Sequence, residues 1–510
     1  MQRPATVRIG TRKSPLALTQ TQAFVRRLEC RWPEARFRLV PIDTRGDKNR
    51  SVPLSTVNDA LFFSAELDAA LAAGEVDLCV HSLKDLPQER PFHAVLSERQ
   101  DPRDAVLVRR DSVHQLVSGK GTVTLGTSTS RRASNVIDFI NYIFAQNPSS
   151  EPRVRLLDIR GNIDERLAQL LSPEHRYDAI VLAVAGLNRL WSNTSARGRL
   201  AEMLAATRWM VLPLEACPTA AGQGVLSVEC RSDDANAREL LGPFAMPRID
   251  AEVAFERSLL AGIPEPDRAN YGATAVHHDE LGLFAWVRGR RTSAAGTGVG
   301  PIDARLHWNA PTRPRHARGW EGSRWSKLSA IERLPVPDTV WDAPAVFVAH
   351  SRALPRQAPP ENSRIWAAGL STWKALAGRG IWVEGCAEVL GFESLIPTLQ
   401  CEVLGLAPLT AWRVMTHAGA VNSWREFGIE DVVATYKLEG EASAATREEV
   451  REATHFYWTS SLQYLAVREW LPDRARHACG PGKTLRALRQ AGVPDLQVFP
   501  SVKEWRAWLA

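Results

Sequence analysis

The fold of this chain is most clearly indicated by the stretch His81-Ser82-Leu83-Lys84-Asp85-Leu86-Pro87, which follows the apolar run Val76-Asp77-Leu78-Cys79-Val80. The run predicts a short buried strand, so Lys84 and Asp85 come where a parallel strand ends and a helix or loop begins. Ligands of open α/β sheets bind at that edge. A carboxylate beside a lysine stays ionised and can stabilise a developing cation or shuttle a proton. The alternative interpretation is a surface ion pair at a strand end.

The same order of strand, polar turn and helix occurs at the start of the chain. Val7-Arg8-Ile9-Gly10 predicts a strand, and Ser14 before Pro15 predicts the start of a helix over 16–28. Arg12 and Ser14 then lie at a helix N-terminus, which favours anions. Simple helix capping is the alternative role of Ser14.

Further along, the turn Gly126-Thr127-Ser128-Thr129-Ser130-Arg131-Arg132 follows a predicted strand and opens a helix. Its hydroxyls and arginines predict an oxyanion cradle, with an ordinary cap as the alternative. The repetition of this pattern predicts parallel α/β sheets whose edges bind anions. The candidate anion-binding residues on these turns are Arg12, Arg131, Arg132, Arg160 and Arg166.

Composition is typical of a globular protein with several compact units: 510 residues, 45% of them hydrophobic and 24% charged. No apolar run is long enough to span a bilayer, and no secretory signal is evident, so we expect a cytoplasmic protein. Seven scattered cysteines without a CxxC pair argue against a zinc site or a disulfide framework. The net charge of +6 comes from dispersed arginines, which favours a small polyanionic ligand over nucleic acid.

Eight motifs in order carry a specific resemblance. They are GTRKSPLAL, TRGD, HSLKDLP, DPRDA, TSTSRR, RGN with Arg166, AVAGLNRL and AAGQGVLSVECR. Over about residues 5–290 the chain resembles hydroxymethylbilane synthase, also called porphobilinogen deaminase. The resemblance implies an α/β fold with two periplasmic-binding-protein-like domains and a small α+β domain. It also implies head-to-tail condensation of four porphobilinogens to hydroxymethylbilane, with release of ammonia.

The resemblance implies roles for individual residues. Asp85 is the expected catalytic residue, because the family's matching aspartate stabilises pyrrole cations. The expected substrate-binding residues, which hold acetate and propionate groups, are Arg12, Ser14, Ser82, Lys84, Thr127, Ser128, Ser130, Arg131, Arg132, Arg160, Arg166 and Arg189. We expect residues 1–100 with 200–228 to form the first domain, 101–199 the second and 229–290 the third. No metal, membrane or nucleic acid is implied, and we expect a monomer.

Two departures from the family pattern concern its dipyrromethane cofactor and its mobile loop. The family binds dipyrromethane by a thioether to a cysteine, and Asp267 takes that attachment position here. Ser55 and Asp59 replace the two lysines of the family's glycine-rich loop. The cofactor could be held without a covalent bond, the enzyme could prime itself from free porphobilinogen, or the module could have lost its activity. In the last case the N-terminal part would be a non-catalytic binder of pyrrole carboxylates.

The C-terminal part predicts a second α/β region after a linker over residues 291–325. We expect strands at 345–351, 365–369, 412–416, 431–436 and 455–459, with the strand at 412–416 beginning a further unit. Helices are expected over 371–376, 420–427 and 485–491. Residues 326–510 resemble uroporphyrinogen-III synthase, which implies two flavodoxin-like lobes and cyclisation of hydroxymethylbilane to uroporphyrinogen III. Tyr436 and Thr484 match site positions of that family, although Tyr436 could equally be an interfacial strand residue.

Overall fold

A computed structural model describes residues 6–48, 64–119, 121–145, 153–292, 299–322, 330–439 and 443–510. These residues form a mixed α/β protein that divides into two compact units. The first unit comprises residues 1–276, 285–307 and 401–403, and the second comprises 277–284, 308–400 and 404–510. Among the described residues, no helix is both long and apolar enough to cross a membrane. The predicted loop positions Ser55 and Asp59 lie outside the described residues.

The elements of the first unit follow one another in alternating order. The strands are β1 (Val7–Arg12), β2 (Phe37–Ile42), β3 (Leu78–Ser82), β4 (His93–Leu96), β5 (Asp104–Arg109), β6 (Thr122–Gly126), β7 (Arg153–Leu157), β8 (Ala179–Ala183), β9 (Thr207–Val211), β10 (Leu226–Cys230), β11 (Gly272–His278), β12 (Gly282–Thr292) and β13 (Val299–His307). The helices are α1 (Pro15–Arg31), α2 (Arg45–Lys48), α3 (Ala65–Ala72), α4 (Val113–Ser118), α5 (Ser130–Phe144), α6 (Ile163–Leu170), α7 (Val184–Trp191), α8 (Thr194–Ala205), α9 (Ala235–Leu241), α10 (Pro247–Ala261) and α11 (Glu265–Arg268).

Two five-stranded sheets of this unit share one topology. Their strand orders are β2-β1-β3-β10-β4 and β7-β6-β8-β5-β9. In each sheet three strands are parallel, and the fourth position is taken by a strand, β10 or β5, that is antiparallel to both neighbours. Since parallel strands end at one edge, the turns after β1 and β3 are brought together, as are those after β6, β7 and β8.

The strand pairings correct two expected domain boundaries. Strand β9, within the range expected for the first domain, pairs with β5 of the second sheet. Helix α9, within the range expected for the third domain, instead packs into the core of the first sheet through Ala237, Leu240 and Leu241. A strand that is buried along its whole length, such as β9, carries no sequence signal for which sheet it joins, because it lacks an alternation of exposed and buried residues.

The expected linker over 291–325 also contains regular structure. Strand β13 pairs antiparallel with β12 and completes a three-stranded sheet with β11. A short strand, β14 (Gly319–Glu321), pairs with residues 455–457 of the second unit. Glycine, proline and arginine residues interrupt the alternation of apolar and polar residues by which a strand is predicted from sequence.

The second unit contains two further sheets. Its later strands are β15 (Ala330–Arg333), β16 (Ala345–Val348), β17 (Ile365–Ala367), β18 (Gly385–Cys386), β19 (Trp412–His417), β20 (Asp431–Glu439), β21 (His455–Trp458), β22 (Arg476–Cys479) and β23 (Gln497–Val498). Its helices are α12 (Leu370–Ala377), α13 (Phe392–Leu399), α14 (Val421–Arg425), α15 (Ala444–Glu452), α16 (Ser461–Val467), α17 (Lys483–Gln490) and α18 (Val502–Leu509).

These strands form a six-stranded sheet, β15-β20-β19-β16-β17-β18, and a four-stranded sheet, β14-β21-β22-β23. The strand expected to begin a further unit, β19, instead pairs with β16 and β20 inside the six-stranded sheet. That expectation was wrong because the order of strands in a sheet need not follow their order in the chain.

A buried carboxylate ties the third sheet of the first unit to the segment before β10. Glu256, on α10, is fully buried and accepts hydrogen bonds from the backbone N–H groups of Gly222 and Ala275, both at 2.7 Å. Its carboxylate also pairs with Arg99 at 2.7 Å. Burial raises the pKa of Glu256, and these three partners oppose that rise.

Replacing Glu256 with alanine is expected to lower the free energy of unfolding by about 3–5 kcal/mol, because two buried N–H groups lose their acceptor and buried Arg99 is left with the more distant carboxylate of Glu252, at 3.6 Å. Urea unfolding followed by circular dichroism measures the change. Glu239→Ala, at an exposed position of α9, is the matched control and is expected to change stability by less than about 0.5 kcal/mol. Equal stability of the two variants would contradict the proposed role of Glu256.

Candidate active site

The turn at 83–85 is held against a glycine turn. Leu83–Asp85 forms one turn of 3-10 helix directly after β3, and the Leu83 N–H donates to the Val225 carbonyl at 3.1 Å. The buried Leu83 side chain lies where a Cβ at Gly222 would approach within 2.7 Å, and Gly222 has a φ of +72°. Because Leu83 points into this core, Lys84 and Asp85 are presented on the opposite side, exposed to a cleft.

This cleft has a volume of about 410 Å³ and lies between the two five-stranded sheets of the first unit. Asp85 is on its wall, together with many of the cations expected there. The charged and polar residues lining it, among those that the structure describes, are Arg12, Ser14, Gln20, Ser64, His81, Ser82, Lys84, Asp85, Ser128, Thr129, Arg131, Arg132, Arg160, Asn162, Arg166 and Gln223. The predicted strand-end turns therefore do converge on one cavity.

Arg131 and Arg132 reach the cleft already paired with a carboxylate. Arg132 donates to both oxygens of Asp104, with Nε–Oδ2 at 2.9 Å and an Nη2–Oδ1 distance of 2.7 Å, and Arg131 donates to Oδ2 at 3.2 Å. All three side chains are buried. Burial by itself would raise the pKa of Asp104, but the charges of the two arginines hold it well below its usual range.

Gln223 joins this ion-paired group to the catalytic turn. Its amide nitrogen donates to Asp104 Oδ1 at 2.8 Å, and its amide oxygen accepts from Lys84 Nζ at 3.3 Å. The Lys84 side chain opens onto the cleft but is surrounded by protein, and the resulting loss of solvation lowers its pKa to about 8, with a contribution from the charge of nearby Arg132. Sequence reasoning missed Asp104 and Gln223 as site residues. The available signal was that two adjacent buried arginines require a counter-ion.

Arg160 and Arg166 are positioned by the start of α6. Gly161 between them has a φ of +108°, and a Cβ there would lie 2.5 Å from Glu165 Oε2. Glu165 closes a capping box with Asn162, and the Arg166 Nε donates to the Gly161 carbonyl at 2.8 Å. Burial lowers the pKa of Arg166 to about 10, with further lowering by the charges of Arg132 and Arg160. The cleft therefore holds several cations that repel one another, and a bound anion would reduce this repulsion.

The predicted hydroxyl residues serve several purposes. Ser14 caps α1 by accepting from the Ala17 N–H at 3.3 Å, as expected for a cap, and it also lines the cleft. Ser82 donates to Gln20, a cleft residue that the motifs did not indicate. Ser128 donates to the Ile159 carbonyl at 2.5 Å. These bonds place the hydroxyls at the cleft wall as parts of its framework.

Three predicted substrate-binding residues are not brought to the cleft. Arg189 is buried and donates to the Gly224 carbonyl, because α7 turns this side chain towards the glycine turn. Ser130 donates to the Ala269 carbonyl at 3.0 Å, and Thr127 is buried at the end of β6. Within the described residues, none of the three lines the cavity. Sequence spacing placed them on the right turns but could not give the direction of their side chains.

Behind the catalytic turn is a second buried charged group. Asp68, His81 and Glu229 lie close enough together to hold a metal ion. The guanidinium of Arg90 is placed among these side chains, however, at 2.6 Å from Asp68 and 2.5 Å from Glu229. The group is therefore an ion-pair network that supports the end of β3.

Asp267, at the expected cofactor-attachment position, is directed towards β12. Its Oδ1 accepts from the backbone N–H of Thr292 at 2.7 Å and from the Thr292 hydroxyl at 2.6 Å. These two hydrogen bonds lower the pKa of Asp267, because they stabilise the carboxylate. In the part of the chain that the structure describes, Asp267 is not among the residues lining the cleft.

In the second unit, Tyr436 and Thr484 belong to different sheets. Tyr436 is buried on β20, with its ring centroid 5.9 Å from that of His417 at the end of β19. Burial raises the pKa of Tyr436 and lowers that of His417. Thr484, at the start of α17, donates to the Thr459 carbonyl at 3.4 Å.

Lys483, which sequence reasoning treated only as a disruption of a turn, links the two sheets of this unit. Its Nζ lies 2.6 Å from the ring centroid of Trp424, on the helix after β19. Burial lowers the pKa of Lys483 to about 6. Its neighbour Arg486 hydrogen-bonds Glu393 on α13. His417 contacts the Tyr436 ring, and the charge of Lys483 acts on His417, so these residues, which are distant in sequence, are the candidates for a site in the second unit.

Comparison with known proteins identifies the first unit. A family model described as porphobilinogen deaminase, dipyromethane cofactor binding domain, matches residues 7–239. The porphobilinogen deaminase of Streptococcus sanguinis is 38% identical over 261 residues, which is 50% of this chain and 77% of that protein. That of Synechococcus elongatus is 37% identical over 296 residues, covering 56% and 84%. The chain belongs to the porphobilinogen deaminase family.

Solved structures show only distant likenesses. A uroporphyrinogen-III synthetase from Helicobacter pylori is 14% identical and covers 36% of this chain and 91% of that chain, with a TM-score of 0.25. An alkanesulfonate-binding protein from Xanthomonas axonopodis pv. citri is 14% identical over 52% of this chain and 82% of that chain, also with a TM-score of 0.25. Likeness at this level carries no argument about function.

The cations of the cleft suit the carboxylates of a dipyrromethane, the cofactor for which the deaminase family model is described. Arg12, Arg160, Arg166 and Lys84 would hold these groups by charge-assisted hydrogen bonds. The cavity offers no thiol for a thioether bond to the cofactor, since no cysteine lines it within the described residues. The cleft thus fits the anionic part of the cofactor and lacks the atom that would anchor it.

Binding of porphobilinogen to the cleft is expected to weaken as the pH rises through about 8, because Lys84 loses its charge there. Below that pH the ammonium is retained and binding is at its strongest. Calorimetric titrations between pH 6.5 and 9.5 measure the dissociation constant. In Lys84→Arg the weakening is expected to move to higher pH, since guanidinium keeps its proton. An unchanged profile in that variant would exclude Lys84 as the titrating group.

Proposed function

We propose that the first unit condenses four porphobilinogens head to tail into a linear tetrapyrrole and releases ammonia. The observation that carries this proposal is the Asp85 carboxylate on the wall of a cleft whose other charged residues, within the described part of the chain, are cations. A cationic cleft suits substrates with two carboxylates each, and a carboxylate among these cations suits the pyrrole cation formed when ammonia leaves. Membership of the porphobilinogen deaminase family supports the same reaction.

In this proposal each group has a separate task. Arg12, Arg160 and Arg166 hold acetate and propionate groups by charge-assisted hydrogen bonds. Asp85 stabilises the positive charge that develops on the pyrrole as the carbon–nitrogen bond breaks. Lys84 is linked through Gln223 to the buried Asp104, so the catalytic turn is held in one orientation. Holding two pyrroles side by side lowers the barrier to carbon–carbon bond formation.

We further propose a domain arrangement for the whole chain. The two five-stranded sheets would be periplasmic-binding-protein-like domains, and the sheet β11-β12-β13 with α10 a small α+β domain. The two sheets of the second unit would be flavodoxin-like lobes. The crossing strands β5 and β10, each antiparallel to its neighbours, support the first assignment. A cytoplasmic monomer without nucleic-acid or membrane partners remains our prediction.

For the second unit we propose cyclisation of the tetrapyrrole to uroporphyrinogen III. The support is its resemblance to uroporphyrinogen-III synthase, its two α/β sheets, and the placement of His417, Tyr436 and Lys483 near one another. Such a reaction needs a flexible chain to be held in one shape, which hydrogen bonds from an imidazole, an amine and a hydroxyl can do. Fusion to a module that makes the linear tetrapyrrole also supports this role.

An alternative is that the first unit binds pyrrole carboxylates without catalysis. Two observations favour it. No cysteine lines the cleft within the described residues, and the Asp267 carboxylate already accepts two hydrogen bonds from Thr292. In this case the second unit alone would be an enzyme, and porphobilinogen would bind without release of ammonia.

Asp85→Asn separates these two functions. We expect porphobilinogen consumption to fall at least about 100-fold, because the amide cannot neutralise the pyrrole cation. Binding measured by calorimetry is expected to change far less. Asp233→Asn, at an exposed position outside the cleft, is the control and should behave like the unchanged protein. Full turnover by Asp85→Asn would rule out a catalytic role for Asp85.

Tyr436→Phe tests the second unit. We expect the yield of type III porphyrin from porphobilinogen to drop in favour of type I, because the linear product then closes without inversion of its last ring. Oxidation of the products and chromatographic separation of the isomers measure the ratio. Tyr142→Phe, at an exposed tyrosine, is the control. An unchanged isomer ratio would show that the Tyr436 hydroxyl is not required.

A further inference from the structure

The thiols of this chain are all described, and none is placed to anchor a ligand in the cleft. In the part that matches the deaminase family, Cys30 is exposed on α1, whereas Cys79, Cys217 and Cys230 are buried. Burial raises the pKa of all three buried thiols, that of Cys230 to about 11. Since a thiolate is needed to form a thioether, these residues are inert towards an electrophilic pyrrole.

Asp267 does not replace the missing thiol. Its Oδ1 is held by the N–H and hydroxyl of Thr292 at 2.7 and 2.6 Å. A carboxylate stabilised in this way is a weak nucleophile. Because Asp267 is also absent from the described lining of the cleft, it has no access to a growing chain. Within the described residues, neither a cysteine thiol nor Asp267 is therefore placed to anchor a growing chain in the cleft.

Taking the deaminase function as given, we propose that the first unit starts each chain on a free porphobilinogen, so that its linear tetrapyrrole keeps one aminomethyl nitrogen. In each coupling the pyrrole nitrogen's electron pair expels ammonia from the aminomethyl carbon of one porphobilinogen. The free α-carbon of the neighbouring pyrrole then forms a bond to that carbon and loses its proton to solvent. Four porphobilinogens joined in this way need three couplings. Three ammonia molecules are released, and the fourth nitrogen stays on the terminal aminomethyl group.

The cleft has the means to hold such an unanchored chain by charge. Arg12, Arg160, Arg166 and Lys84 line it, and the low pKa of Arg166, about 10, reflects burial beside other cations. Each added pyrrole brings two carboxylates, so affinity increases with chain length. Retention that depends on ion pairs is weakened by salt, whereas retention by a thioether is not. Release of shorter oligopyrroles should therefore increase with ionic strength.

An aminomethyl end on the linear tetrapyrrole also determines the chemistry required of the second unit. Ring closure on an aminomethyl end expels ammonia, whereas closure on a hydroxymethyl end expels water. We therefore expect the second unit to accept an aminomethyl tetrapyrrole, with the fourth ammonia appearing only as the ring closes. Ammonia release would then be biphasic, with the second phase matching the appearance of the macrocycle.

The test follows the full-length protein with porphobilinogen by rapid quenching before ring closure. We expect three ammonia molecules for every four porphobilinogens consumed, and high-resolution mass spectrometry should show an aminomethyl end. The intact mass of the denatured protein is expected to be unchanged. Four ammonia molecules with a hydroxymethyl end, or a protein mass increased by pyrrole units, would overturn the inference while leaving the deaminase function intact. Untouched porphobilinogen would instead refute the proposed function itself.

One variant tests the remaining covalent route, an ester to Asp267. Asp267→Asn would abolish turnover if such an ester were formed. We expect this variant instead to keep the three-to-four ratio, because the amide oxygen still accepts from Thr292. Loss of turnover in Asp267→Asn with normal thermal stability would overturn the inference. Raising the salt concentration from 0.05 to about 0.5 M should increase the fraction of di- and tripyrroles released. A salt-independent product length would also count against it.

Discussion

The buried carboxylate of Asp104 is the constraint on which the deaminase cleft depends. It pairs with both Arg131 and Arg132, which are buried at the start of α5, and it accepts from Gln223 of the glycine turn. Gln223 in turn accepts from Lys84. Two guanidinium groups could not be buried without such a partner, since an unpaired buried charge costs several kcal/mol. One carboxylate therefore fixes elements of both five-stranded sheets, including the turn that carries Asp85.

The electrostatics of the cleft follow from this arrangement. Asp104 offsets part of the charge of Arg131 and Arg132, and the other cations that line the cleft lie at the ends of β1 and β3 and around α6, where Arg160 pairs with Asp158 at 3.0 Å. The low pKa of Arg166 and of Lys84 shows that these positive groups are crowded and partly dehydrated. A bound polyanion reduces the repulsion between these cations and replaces the water they have lost, so affinity arises from charge complementarity. Such a cleft can retain a growing chain of carboxylated pyrroles even where a covalent anchor is lacking.

In the second unit a different set of contacts holds the sheets together. Its two sheets are joined by Lys483, which lies over Trp424, and by the ion pair of Arg486 with Glu393. The aromatic ring and neighbouring carboxylates accommodate an amine that burial has shifted to a pKa of about 6. Lys483, at the start of the helix that follows the glycine turn 480–482, is near enough to His417 for its charge to lower the pKa of that residue, so groups from two sheets act on one another.

The sequence by itself determined the strand-end motifs, the family, the cap at Ser14 and the position of Asp85 at the end of a buried strand. These follow from local chemistry, because apolar runs, turn residues and helix caps act over a few residues. The tertiary structure alone decided which sheet takes β9, that β13 is a strand, and that Arg189 turns away from the cleft. It also decided that Arg131 and Arg132 are paired with Asp104. The physical reason is that strand pairing and charge compensation join residues far apart in the chain, and spacing along the sequence carries no record of side-chain direction.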